Sequence, residues 1–255
     1  GEPPKLPKIV EQLLETVSRR SREDLLEART VLVKGERRFE RGEHYEELSS
    51  EMRAASADAF ASYMRALVQQ GHITEDELEP RDFAFRVAGV GSLGCLRIAV
   101  LTRGKGGVEG EWLFDMKEEG TPSIEVAKLG DRGFNVSPPG GMPTSAAARV
   151  LAGVHALALK RPRMIGETTL RDKSMLVRWL APQEDKLAIS EVEPDDRGVL
   201  VHYLGALLGE AHRKSAPSAP RWSRDDLDAI LHRGLLLAAL HHVAFAEYAI
   251  AAKRT

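Results

Sequence analysis

One cysteine, Cys95, stands among 255 residues. No intrachain disulfide and no thiolate-rich zinc site can form from it. A surplus of positive charge is also lacking. The 36 Lys and Arg residues face 38 Asp and Glu, for a formal net charge of -2. A general nucleic-acid binder draws its affinity from clustered cations, so that class is set aside. Long apolar runs are missing: none approaches the roughly 20 residues that a spanning helix needs. The opening GEPPKLPKIVEQ has no apolar centre of the kind a signal peptide carries, and it reads as linker from the middle of a protein. Metal-ligand spacing is absent among the histidines. His241 and His242 are adjacent, about 100° apart around a helix, while His202 and His212 lie too far apart along one helix to share an ion. No repeat is visible. The expectation is a soluble cytoplasmic protein with no nucleic-acid, membrane or metal partner.

What is present is 43% hydrophobic residues, enough for a sizeable core. The periodicity divides the chain into three parts. Residues 1–80 read as a helical segment. Ile9, Leu13, Leu14 and Val17 recur at helical spacing, Ser21 and Asp24 form a capping pair, and 49–70 is a strong amphipathic helix ending at Gly71. Between them the charged stretch 31–48 reads as a solvated loop. Residues 81–182 read as a β lobe with one helix. Phe83, Phe85 and Val87 alternate, as do Leu96, Ile98 and Val100, then Trp112, Phe114 and Met116. That is three antiparallel strands joined by glycine-bearing turns. After a Gly/Pro-rich loop come a helix at 144–160 and two short strands near 165–171 and 174–180. Residues 183–255 read as a helical C-terminal segment, with helices over 195–214 and 223–252, the latter begun by Ser223 and Asp226. The wide stripe of Leu227, Ile230, Leu231 and Leu235 on the last helix is core, or else a partner surface. The fold class is α+β, with a small antiparallel sheet of about five strands packed with helices.

One motif carries chemistry. Gly89-x-Gly91-Ser92-Leu93-Gly94 lies between two strands, not between a strand and a helix, so the dinucleotide fingerprint does not apply. Strand, glycine turn, strand is the arrangement of a kinase-type loop, which folds over ATP phosphates while a lysine on the third strand reaches them. Glycines leave the backbone amides open to phosphate oxygens. Lys117 suits the lysine role and shares a strand face with Leu113 and Asp115. In kinase-like sites a helix glutamate holds this lysine; Glu118, Glu119 and Glu125 are the candidates here, and Arg149 could face the same cleft. Trp179 and Leu180 would flank an adenine at the hinge. ATP and Mg are then the implied cofactors. The alternative is a non-catalytic binding or scaffold module in which the glycines are only β-turns.

Five separated segments, RVAGVGSLGCLRIAVLTRGKGG, LFDMKE, ARVLAGVHAL, LVRWLAPQEDKL and LGALLGEAHRKS, occur in the order of motifs of the bacterial domain-of-unknown-function family 2252, which the chain resembles from about Arg20 to Ser215. Arg178, Pro182 and Asp185 fall on that family's Arg-x-Leu-x-Pro-x-x-Asp run, and His212 on its Ala-His pair. Trp179 departs from the usual glutamate or glutamine, and His155 stands where glutamine is expected. The resemblance implies a kinase-like lobe with permuted motif order. It also implies two upstream motifs, Gly-Asp-x-His-x-x-Asn-Phe-Gly and Phe-Asp-x-Asn-Asp-Phe-Asp, similar to the catalytic loop and metal-binding Asp of aminoglycoside-type phosphotransferases. Neither is in this sequence; its Gly130-Asp131 lacks the following His and Asn. The chain therefore resembles the C-terminal portion of such a protein, without catalytic residues of its own, and an upstream half is an implied partner.

Overall fold

A computed structural model describes residues 5–71, 73–87, 94–121, 145–158, 160–215 and 222–252. The chain divides into two compact units, 1–215 and 216–255. The first holds all the strands among the described residues.

Helices α1 (Lys8–Ser18) and α2 (Arg22–Glu27) open unit 1. The expected capping pair forms at α2: Asp24 N–H donates to Ser21 Oγ at 3.1 Å, and Ser21 N–H donates to Asp24 Oδ2 at 2.6 Å. The charged stretch 31–48 is not a loop. It carries the hairpin β1 (Thr30–Val33) and β2 (Glu36–Phe39), then the short strand β3 (Tyr45–Glu46). The turn is made by Lys34 and Gly35, both at positive φ. The charges in this stretch have buried partners, which is why a charge run can be structured. Asp82, 3% exposed, accepts from Phe39 N–H at 2.9 Å and from the guanidiniums of Arg41 and Arg53 at 3.1 Å each. Burial pushes the Asp82 carboxyl up, but the hydrogen bonds from Arg41 and the Phe39 amide outweigh it and hold the group below the carboxylate range.

Helix α3 (Ser50–Val68) precedes strands β4 (Pro80–Arg86), β5 (Arg97–Thr102) and β6 (Trp112–Glu118), then α4 (Ala146–Leu157), β7 (Ile165–Leu170) and β8 (Lys173–Trp179). These make one antiparallel sheet of six strands in the order β3-β4-β5-β6-β8-β7, one strand more than expected because β3 adds to the edge of β4. The β5–β6 turn needs glycine: a Cβ at Gly110 would lie 1.7 Å from the Lys105 carbonyl, and one at Gly104 would lie 2.0 Å from that of Gly110.

Strand alternation gives the sheet two faces. Phe83, Ile98, Val100, Phe114, Met116, Met175 and Val177 form the first, packed under Phe60, Tyr63 and Leu67 of α3. The second face is apolar at one end only. There Ala84, Ala99, Leu101, Leu113 and Leu180 are covered by Leu26, Phe39 and Tyr45, so the N-terminal elements are part of the sheet's cover. Helix α4 also lies on this face, with Ala147 N–H donating to Ser174 Oγ at 2.9 Å. Helix α5 (Arg197–Ser215) packs beside α4, where Lys214 Nζ donates to the Ala158 carbonyl, and Leu200 joins Val10 of α1 in a third cluster.

Unit 2 is helix α6 (Arg224–Ala252). Its start is as read from sequence: Asp226 N–H donates to Ser223 Oγ and Ser223 N–H to Asp226 Oδ2. Its apolar residues run all round the helix, and by length and composition it could cross a membrane. That corrects the reading that no run approaches such a length: from Gly234 to Ala252 the only charged residue besides histidine is Glu247.

Two glycines test the packing. A Cβ at Gly166 on β7 would meet Cε2 of the Tyr63 ring at 2.9 Å, and that ring is pinned because Tyr63 Oη donates to the Met164 carbonyl at 2.8 Å. Gly166→Ala should lower unfolding stability by about 1–3 kcal/mol. Gly153→Ala, inside α4 with nothing within 4 Å of its Cβ, should raise it by roughly 0.5–1 kcal/mol. Urea unfolding midpoints of the two variants check both signs.

Candidate functional site

Where the second sheet face loses its apolar cover, it becomes charged. Antiparallel register sets Arg97 of β5 opposite Lys117 of β6, and Asp115 of β6 opposite Arg178 of β8. Alternation on β4 brings Arg86 to the same face, beside Tyr45 of β3. All five ionisable side chains are thus carried on strands, whose backbone hydrogen bonds fix their spacing.

Asp115 is the centre of this group, with no exposed surface. Arg97 grips it with two nitrogens: Nε donates to Oδ1 at 2.8 Å and Nη2 to Oδ2 at 2.5 Å. Arg86 Nη1 lies 3.0 Å from Oδ1, and Arg178 Nε lies 3.6 Å from Oδ2. The Arg86 contact is an ion pair without good hydrogen-bond alignment, which leaves that nitrogen a spare donor. Burial pushes the Asp115 carboxyl up; the Arg97 hydrogen bond and the charges of Arg86, Arg97 and Arg178 reverse this and hold it below the usual range. With Glu184 also on Arg178, the three guanidiniums exceed their carboxylate partners by one positive charge at the end of the face where Lys117 sits.

Lys117 is about one-third exposed and pairs with Glu119 at 3.0 Å. Of the three candidate partners, Glu119 holds the lysine. Glu118 points to the other sheet face, where it pairs with Lys173 at 3.0 Å and accepts from Leu96 N–H at 2.8 Å. Glu125 lies outside the described residues, as do Gly89, Gly91, Ser92 and Leu93. Gly94, the last of the glycine motif, is exposed at φ 84°. The loop therefore joins β4 and β5 at the Arg86 and Arg97 end, which is the Lys117 end of the sheet.

Trp179 and Leu180 do not stand side by side as a pair flanking a ring. Trp179 packs with the α3 core, whereas Leu180 is buried under Leu26 and Phe39 on the second face. The segment after β8 is held by the link between α1 and α2: Arg20 Nη2 donates to Asp185 Oδ2 at 2.5 Å, and Gln183 Nε2 donates to the Arg20 carbonyl at 3.2 Å. Arg178 also donates to Glu184 at 3.1 Å. Arg149 donates to the Gly120 carbonyl at 2.8 Å, which ties α4 to the end of β6 near Lys117. His212 is exposed in the last turn of α5, the helix beside α4.

Sequence reasoning missed Arg86, Arg97 and Asp115. Alternation put Asp115 with Lys117 on one face, but nothing in the local pattern reveals partners contributed by distant strands.

The pH dependence of stability tests the cluster. Asp115 has a depressed folded value, so its contribution is present above the unfolded carboxyl value of about 3.9 and fades as pH falls through the folded value. Asp115→Asn should lower stability at pH 7 by about 3 kcal/mol, the low end for breaking a buried pair because Arg178 is over a third exposed. The difference between wild type and variant in urea unfolding should shrink below about pH 4.

No curated protein and no solved structure matches the chain. A family model does, over residues 2–249, a wider span than the five motifs cover. The chain belongs to the family described as "Uncharacterized protein conserved in bacteria (DUF2252)".

Proposed function

We propose that unit 1 is the nucleotide-binding lobe of a kinase-like phosphotransferase, with Lys117 as its phosphate lysine. One observation carries the reading. A glycine-rich connection joins the first two strands of the β4-β5-β6 meander, the lysine stands on the third, and the helix that follows lies on the lysine's own sheet face. That is the set of parts a kinase-type site uses. The Arg86, Arg97 and Asp115 group adds a fixed positive field beside the lysine, suited to a polyphosphate.

Two departures shape the proposal. Helix α4, AAARVLAGVHAL, contains no glutamate, and Lys117 is held instead by Glu119 two residues on in the chain. Among the described residues no three carboxylate, imidazole or thiol groups converge to hold a metal. Mg would therefore arrive with the nucleotide, bound through its phosphates. Transfer itself would need a base and metal ligands from an upstream segment or another chain.

A second reading has its own support. Leu26, Phe39 and Tyr45 cover the half of the face that an adenine would use, and Asp115 with its arginines fills the region next to it. On that reading the lobe is a binding module that takes no nucleotide.

Thermal unfolding with and without Mg·ATP separates the two. A ligand at about 100 times its dissociation constant adds roughly 2.7 kcal/mol, a rise of roughly 5–10 °C at this size. The nucleotide reading expects such a rise in the wild type and its loss in Lys117→Ala. No shift at millimolar Mg·ATP in either protein means the covered face stays closed, and the binding-module reading stands.

A further inference from the structure

At the end of the sheet away from Lys117, unit 1 has a cleft of about 930 Å³. Its volume is within the roughly 300–1,000 Å³ typical of small-ligand sites. It opens where β6 begins and β8 ends, between α3, α4 and the loop before β7. Trp112, Trp179 and Tyr63 supply aromatic walls. Neither Lys117 nor Asp115 lines it, and Lys117 lies near the other end of β6, so this cleft is separate from the site proposed above.

The cleft is strongly biased in charge. Arg22, Lys105, Arg161 and Arg163 line it, against the single carboxylate of Glu167. Two of these cations have internal work. Lys105 pairs with Glu77 at 3.0 Å, and Arg22 donates to the Gly110 carbonyl at 3.1 Å. Glu167 in turn accepts from Ser145 Oγ at 2.6 Å. Arg161 and Arg163 have no hydrogen bond or ion pair among the described residues, and both are exposed on the loop at the cleft's mouth.

The aromatic wall also carries unmet donors. Trp112 is 6% exposed, yet its indole N–H has no acceptor. Arg22, whose guanidinium carbon sits 5.9 Å from the Trp112 ring centre, likewise has an unpartnered buried Nε. An unmade hydrogen bond at a buried donor costs about 1–3 kcal/mol. Two such donors side by side in the wall of a cavity are a place for an acceptor-bearing ligand.

We propose that this cleft binds a small aromatic anion, its ring against Trp112, Trp179 and Tyr63 and its phosphate or carboxylate held by Arg161 and Arg163. Aromatic walls favour a flat apolar body, and two free guanidiniums favour a bidentate anion.

The chain's three tryptophans make the test direct. Trp112 and Trp179 line the cleft, and Trp222 lies in unit 2. In a Trp222→Phe background all remaining tryptophan fluorescence therefore reports on the cleft. The probe is 4-nitrophenyl phosphate, with 4-nitroanisole as its uncharged counterpart. The proposal expects saturable quenching by the phosphate. It expects binding at least about tenfold weaker for 4-nitroanisole and for the Arg161→Ala/Arg163→Ala double variant, a difference of roughly 1.4 kcal/mol. Both arginines are exposed, so the double variant keeps the fold. Quenching that rises linearly without saturation overturns the proposal, as does equal binding by the double variant. The same titration of Lys117→Ala should match its parent; weakening there would assign the anion to the other face and also overturn the proposal.

Discussion

A carboxylate with no exposed surface is tolerated only if its surroundings return what water would have given it. Asp115 meets that condition through Arg97 and Arg86 from the strands on one side and Arg178 from the other. The requirement reaches far into the molecule. It fixes β6 between β5 and β8, since both must supply cations. It also gives the second face its polar end, and with it the setting of Lys117. Asp82 does the same for the N-terminal elements: Phe39, Arg41 and Arg53 all converge on it, which holds the β1–β2 hairpin and α3 to β4. Two buried acids thus connect parts of the chain that apolar packing alone would orient loosely.

The sheet works as a partition. One side is an aromatic core, and the basic cleft opens at the sheet's end. The other is half apolar and half charged. A residue's function is decided by its parity along the strand. Trp179 and Leu180 are neighbours in sequence and belong to different sides. Glu118 and Glu119 divide in the same way, and only one of them can serve Lys117.

Much of this was legible in the sequence. The α+β class, the alternating strands of the β4-β5-β6 meander, the β7–β8 hairpin and the capping pairs at Ser21 and Ser223 all rest on local periodicity or on contacts three residues apart. What escaped notice depends on long-range pairing. Arg37 is 7% exposed in a segment whose composition spoke for solvent. The edge strand β3 is two residues long and exists because β4 offers it a free side. The buried state of Asp115 depends on arginines from β4, β5 and β8, and no window on β6 contains them. The apolar length of α6 also escaped notice, because two histidines and a glutamate break its run while leaving its mean hydropathy high.

The strand order has a kinetic side. β4, β5 and β6 follow one another, and so do β7 and β8, so each group can pair locally. The β3–β4 seam must close across α3, and the β6–β8 seam across a longer stretch that includes α4 and β7; such closure is slow because loop entropy is spent before contacts form. Asp115 opposite Arg178 and Lys117 opposite Leu176 lie on that seam. The charged face therefore comes into being late, when two finished hairpin units meet. On this topology Asp115 and Arg178 stay hydrated until the β6–β8 seam closes, and their desolvation is part of that closure.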